Sequence, residues 1–132
     1  MLTGEQLAGM HALTLNFGEG TPIAPDPNDN HGTRALLDSP VREAAVVWVN
    51  GKRIGSVWSP PYTLDLTGAL HRGENQIEIQ VANTAINMLS GRAPVDYHLL
   101  TARYGQRFVP QDTDHLQPLP SGILGKILLE KY

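Results

Sequence analysis

The sequence predicts an all-β fold, an antiparallel β-sandwich with one or two short helical turns. Three observations lead there. Apolar and polar residues alternate over several short segments, as at 13–17 and 77–81. An Asn50-Gly51 pair joins two such segments, and Asn-Gly is favoured chemistry for a two-residue hairpin turn because both positions tolerate positive φ. Ten prolines and thirteen glycines in 132 residues interrupt the chain too often for long helices.

The elements follow in order. "HALTLNF" places Leu13, Leu15 and Phe17 on one face of a first strand. "GEGTPIAPDPNDNHGTR" is a long loop, and "RALLDSP" reads as a short edge strand stopped by Pro40. "EAAVVWVN" and "KRIGSVW" form the hairpin. Apolar residues occupy both faces of its first strand, so that strand is expected to be central and covered on each side. "YTLDLT" is a strand with Tyr62, Leu64 and Leu66 on one face, and "TGALHRGEN" reads as one helical turn ending at Gly73. "NQIEIQVAN" alternates cleanly, burying Ile77, Ile79 and Val81 while Gln76, Glu78 and Gln80 face water. "NTAINMLSG" reads as a loop or a single helical turn capped by Thr84. "DYHLLTARYG" fits a short helix with Asp96 as N-cap and Gly105 just past its end, a strand being the alternative. The polar "VPQDTDHLQPLPSG" leads to a last strand in "ILGKILLEKY". Residues 1–132 fit one domain with no internal repeat, and 1–12 are expected to be a linker or poorly ordered.

Composition excludes several functions. Apolar residues at 41% and charged residues at 17% describe a folded globular chain. A net charge of −3 with scattered Lys and Arg argues against nucleic acid, which needs clustered cations. No cysteine is present, which removes disulfides and thiolate metal sites and leaves the compartment open. Apolar runs such as "AAVVWV" are far below the roughly 20 residues of a membrane helix. The start lacks the basic head and continuous apolar run of a signal peptide, so an exported domain would take its signal from elsewhere.

The order "AAVVWVNGKRIGSVWSPPYTLDLTGALHRGENQIEIQVANTAIN", completed by "PSGILGKILL", resembles the galactose-binding-like β-sandwich carried by glycoside hydrolases. Family 2 enzymes share the skeleton: a V-N-G hairpin, a glycine soon after it, an aromatic-Y segment, "D-L-T … L … G-E-N", an "I-x-V-x-N" strand and a Gly-rich closing strand. The spellings "SPVREAAVVWVNGKRIGSVWSPPY", "VANTAINMLSGRAPVDYHLLTARYGQRF" and "PLPSGILG" are closer to the C-terminal region of family 106 α-L-rhamnosidases. The likeness runs from about Leu13 to Leu129; residues before Leu13 match nothing in it. It implies a jelly-roll sandwich serving as a non-catalytic accessory module, in the periplasm or outside the cell. The catalytic carboxylates of that family lie on a separate, larger domain, and none carries over to this chain. The implied partners are carbohydrate, rhamnose-containing glycans among them, and the catalytic domain of a parent hydrolase. A structural calcium is the one cofactor the resemblance leaves open.

Each candidate site residue has a structural alternative. Pro60-Pro61 stiffens the chain between Trp58 and Tyr62, which could hold two aromatic rings for stacking on a sugar; alternatively Trp58 caps the core while the prolines turn the corner. Asn83 and Asn87 leave the end of a core strand, where amides suit sugar hydroxyls but commonly satisfy their own turn. By resemblance they border a sugar site or an interdomain surface. Arg92, Arg34 and Arg42 could contact an acidic sugar or a partner domain. Asp26, Asn28 and Asn30 present oxygens at alternate positions, but Gly32 falls one residue late for a calcium loop and no Glu closes it. The five histidines are dispersed without zinc-binding spacing, and Ser39 and Ser121 sit in no nucleophile elbow. Paired carboxylates for glycoside hydrolysis cannot be placed from sequence among thirteen acids. The competing readings are a purely structural support domain and, from another class, a small independent enzyme acting on polysaccharide.

Overall fold

The computed structural model of the protein describes residues 3, 12–24, 37–93, 96–106 and 116–132. Along these the strands are β1 (Leu13–Asn16), β2 (Thr21–Pro22), β3 (Leu37–Asp38), β4 (Val41–Arg42), β5 (Ala44–Val49), β6 (Lys52–Val57), β7 (Thr63–Asp65), β8 (Ile77–Ala82), β9 (Gly122–Ile123) and β10 (Leu128–Lys131). Two short helices, α1 (Ala85–Ser90) and α2 (His98–Tyr104), stand between β8 and β9. The chain forms two compact units, residues 1–83 with 121–132, and residues 84–120.

Among the described residues, the first unit holds every strand. Three-stranded antiparallel sheets run in the orders β10–β1–β7 and β6–β5–β8, accompanied by the pairs β2–β3 and β4–β9. One core joins the two larger sheets. Leu13, Leu15 and Phe17 enter it from one side, and Ala45, Val47, Val49 and Val57 from the other, with Val41, Tyr62 and Leu66 completing it. Burying each larger member contributes roughly 1.5–3 kcal/mol, so this alternation is the main reason the sheets associate. The fold is the predicted all-β sandwich.

The hairpin is as the sequence predicts. Asn50 and Gly51 have φ of 51° and 78°, the signs of a type I′ turn, and Val49 faces Lys52 across it. The register then shifts: Val47 pairs with Gly55 but Trp48 with Arg53, leaving Ile54 as the extra residue of a β-bulge. Strand β5 is central, as expected. Its inner face is buried, but the outward residues Ala44, Val46 and Trp48 are only half-buried, so the second side is not fully covered.

Other expectations are corrected. Ile77 is 38% exposed, not buried. Its strand is an edge of its sheet, and the inward-facing Leu129 on the edge strand β10 is likewise exposed. No further strand closes the sandwich there among the described residues. The closing segment is two strands, with a bend at Gly125 between them. Thr21–Pro22, within the predicted loop, pairs with the short strand at Leu37–Asp38.

Two glycines mark close approaches. A Cβ on Gly55 would stand 2.8 Å from Leu64 Cδ2, which is how β6 and β7 meet at one side of the sandwich. A Cβ on Gly125 would stand 2.9 Å from the Phe17 carbonyl oxygen. A polar tie closes the start of β1: the Leu13 N–H donates to Thr67 Oγ1 at 3.1 Å, and the Thr67 N–H donates to Asp65 Oδ1 at 2.7 Å. Side-chain and backbone hydrogen bonds from Thr67 hold the Asp65 carboxyl below the usual aspartate range.

Two outcomes follow. Gly125→Ala should cost about 1–3 kcal/mol and Gly55→Ala less, because the Leu64 side chain can swing aside where a backbone carbonyl cannot. Urea midpoints at unchanged slope measure both. The lowered Asp65 pKa favours the folded state at pH above the unfolded value, and that contribution disappears as pH falls through the folded value. Carboxyl NMR titration should find the Asp65 midpoint below that of an unstructured aspartate, and Thr67→Val should raise it.

Candidate functional site

The Trp58–Tyr62 corner separates its aromatics instead of pairing them. Trp58 is 71% exposed, whereas Tyr62 is 7% exposed and belongs to the core, its carbonyl accepting the Phe17 N–H at 2.9 Å. The alternation that carries Leu66 inward carries Tyr62 with it. No two-ring platform exists, and Trp58 does not cap the core either; Val57, 3% exposed, fills that position.

Asn83 lies exposed immediately after β8. Asn87 and Arg92 belong to the second unit. The Asn87 amide is engaged with backbone: its Nδ2 donates to the Leu119 carbonyl at 2.8 Å, and its Oδ1 accepts the Leu119 N–H at 2.7 Å. An amide satisfied on both atoms offers little to a sugar, so its first job is to tie residue 119 to α1. Thr84 stands at the N-cap of α1 in extended conformation, the position the helical-turn reading expects, but its side chain makes no capping hydrogen bond to the helix. Arg92 is exposed, and its Nη2 contacts Met88 Sδ at 3.6 Å. The N-cap of α2 is Tyr97, not Asp96. Asp96 acts one residue earlier, its Oδ1 accepting the His98 N–H at 2.9 Å and meeting His98 Nδ1 at 2.6 Å. Those bonds, the backbone one foremost, hold the Asp96 carboxyl below its usual range. Gly105 follows α2 as expected.

Arg42 makes a 2.8 Å ion pair with Asp38, so its guanidinium is already partnered. Arg34 and the weak calcium candidates Asp26, Asn28 and Asn30 lie outside the described residues, as do His11, His31 and His115. Among the described residues no three His, Asp or Glu side chains gather as a metal site. No described helix is long and apolar enough to cross a membrane.

Two features escaped the sequence reading. The first is a clamp between motif asparagines. Asn50 Nδ2 donates to Asn75 Oδ1 at 3.0 Å, and Asn50 Oδ1 accepts the Gln76 N–H at 2.9 Å. Asn75 in turn accepts the His71 N–H at 2.9 Å and donates to the His71 carbonyl at 2.7 Å. The hairpin asparagine and the G-E-N asparagine therefore serve one joint. The signal was present as two fixed motifs, but their meeting in space was not.

The second is the outward face of the β6–β5–β8 sheet. Cross-strand register places Trp48 between Arg53 and Glu78, Val46 between Ser56 and Gln80, and Ala44 opposite Ala82. Arg53 Nη2 donates to Ser56 Oγ at 2.6 Å, a contact that the bulge at Ile54 permits by putting residues three apart on the same face.

No protein-family model matches the chain. Over 55 residues it is 40% identical to a protein of Formosa agariphila named as a β-glucuronidase, a stretch covering 40% of this chain and 5% of that protein. The rhamnosidase of Novosphingobium sp. PP1Y is a structural neighbour with a TM-score of 0.58 and 28% identity, covering 97% of this chain and 10% of that one. The chain is thus similar to parts of glycoside hydrolases and spans only a small fraction of each.

The asparagine clamp is testable by a double-mutant cycle. Asn50→Ala and Asn75→Ala should each destabilise by about 1–2 kcal/mol, since several hydrogen bonds are lost at a partly exposed joint. The double variant should cost less than the sum by at least ~0.5 kcal/mol. Additive losses would mean that the two amides act separately.

Proposed function

We propose that the chain is a non-catalytic accessory module of a larger glycoside hydrolase of the α-L-rhamnosidase kind, its sandwich a jelly roll of the galactose-binding-like class. The observation carrying this reading is the likeness of 97% of the chain to only 10% of a rhamnosidase. The chemistry agrees. Glycoside hydrolysis requires two facing carboxyls, one of them raised in pKa so that it can donate a proton. Asp65 and Asp96 are held below the usual range by hydrogen bonds, so these two carboxyls do not suit the general-acid role. The motif residues that carry the resemblance are occupied with the fold, through the clamp, the turn and the close glycine contacts. A place outside the cytoplasm belongs to the same proposal.

A second role, bracing a neighbouring domain, is favoured by one observation. Neither α1 nor α2 has a buried residue, and Met88, Leu89, Leu99, Leu100 and Tyr104 are all exposed, Leu99 by 84%. Exposed apolar side chains, where they form a contiguous patch, commonly mark a contact surface.

The test is enzymatic. The purified chain, incubated with p-nitrophenyl α-L-rhamnoside and p-nitrophenyl β-D-glucuronide, should release no nitrophenol above buffer. Turnover that co-purifies with the protein and disappears on heating would overturn the module reading.

A further inference from the structure

We propose that the outward face of the β6–β5–β8 sheet binds a neutral glycan, with the Trp48 indole as its floor. This rests on the reading of the chain as a glycoside hydrolase module and assigns that module a site.

A solvated sheet face ordinarily carries polar residues along every strand. Here the three outward positions of the central strand are Ala44, Val46 and Trp48, all half-buried, while the flanking strands present Arg53, Ser56, Glu78 and Gln80, all exposed. The result is an apolar stripe with a polar rim on both sides. A sugar has the matching pattern: C–H groups on the ring face and hydroxyls around its edge. The indole supplies a stacking surface whose few rotamers make it cheap to order. The rim supplies both halves of hydroxyl hydrogen bonding: Arg53 donates through the N–H groups it does not give to Ser56, the Ser56 hydroxyl that accepts from Arg53 keeps its own O–H to donate, Glu78 only accepts, and Gln80 does both.

Charge selects among sugars. Arg53 and Glu78 flank Trp48 on opposite strands, so the local charge cancels and a uronate gains from one what it loses to the other. A neutral sugar is the better fit. Size argues for a glycan over a protein partner. Three strands span about 10 Å, and Ala44 to Trp48 about 14 Å along the strand, a footprint well below the roughly 800 Å² per partner of a standard protein interface.

The test is a titration of the 132-residue chain with methyl α-L-rhamnoside and, separately, sodium D-glucuronate, followed by amide and indole NMR. Saturable shifts should centre on the Trp48 indole N–H, Ser56 and Gln80, with the rhamnoside binding at least as tightly as the glucuronate. Trp48→Ala should weaken binding at least tenfold and Gln80→Ala severalfold, while Lys126→Ala, on an exposed loop of the other sheet, should leave it within twofold. Gln80 is exposed, so that variant tests the face even if Trp48→Ala fails to fold. The proposal is overturned by shifts centred on Trp58, by folded Trp48→Ala binding normally, or by no saturable change up to ~50 mM, which reaches millimolar Kd. Binding accompanied by glycoside turnover would support the face and overturn the module reading. Absence of both would sink the face alone.

Discussion

The register of β5 is the constraint on which the rest of the structure depends. The strand is hydrogen-bonded on both edges, and its residues alternate between a buried inner face and a half-buried outer one. A slip of one position would carry Trp48 into the core and Val47 and Val49 out of it, because side chains alternate with a period of two. The Asn50–Gly51 turn fixes that register against β6. The Asn50 side chain, reaching Asn75 and the Gln76 backbone, fixes the start of β8 against the same strand. One residue thus sets the pairing on both sides of the central strand, and core and outer face inherit their composition from it.

Much of the fold was legible because it rests on local rules. Alternation at Leu13, Leu15 and Phe17, positive φ at Asn-Gly, and a glycine ending a short helix each depend on neighbours in sequence. What was not legible depends on distance. Ile77 follows the same alternation as Ile79, yet its exposure is decided by its place on an edge strand, which only the sheet order reveals. The letters around Asn87 allow an amide for sugar or one that satisfies its own turn, but its partner is backbone thirty-two residues away. The bulge at Ile54 is marked in "KRIGSVW" only by the neighbouring Gly55, which signals a bulge or a close approach without saying which, and without the bulge Arg53 and Ser56 would be assigned to different faces. The candidate site was accordingly the least legible part. An exposed Trp58 and a buried Tyr62 look alike in a string of letters, and Trp48 looked like core.

The resemblance to glycoside hydrolases rests on residues that keep the fold. Asn50, Gly51, Gly55, Asn75 and Gly125 belong to the motifs that resemble glycoside hydrolases, and each has a contact or backbone conformation here that another side chain would disturb. Such positions can persist across enzymes of different specificity, because what they protect is the joint between strands. The likeness to a rhamnosidase and to a protein named as a β-glucuronidase therefore speaks to architecture first. Specificity has to be sought where the fold imposes no demand.

The outer face of β5 is such a place, and its composition is an argument by cost. The inner face needs Ala45, Val47 and Val49, since exposing them would forfeit the burial that joins the sheets. Nothing in the pairing of β5 requires Val46 or Trp48 outward; Thr or Lys there would keep the register and lower the risk of non-specific association. The Trp48 ring is half-buried between a cation and an anion, so part of it serves the fold and part stays open to solvent. The residues 84–120 pose the same question at larger scale. A segment below about 40 residues rarely builds a sufficient core of its own, and here neither helix has a fully buried residue, while polar ties such as Asn87 to Leu119 help organise the segment. In both places apolar surface stays in contact with solvent after folding, and that surface is what the proposed contacts would cover.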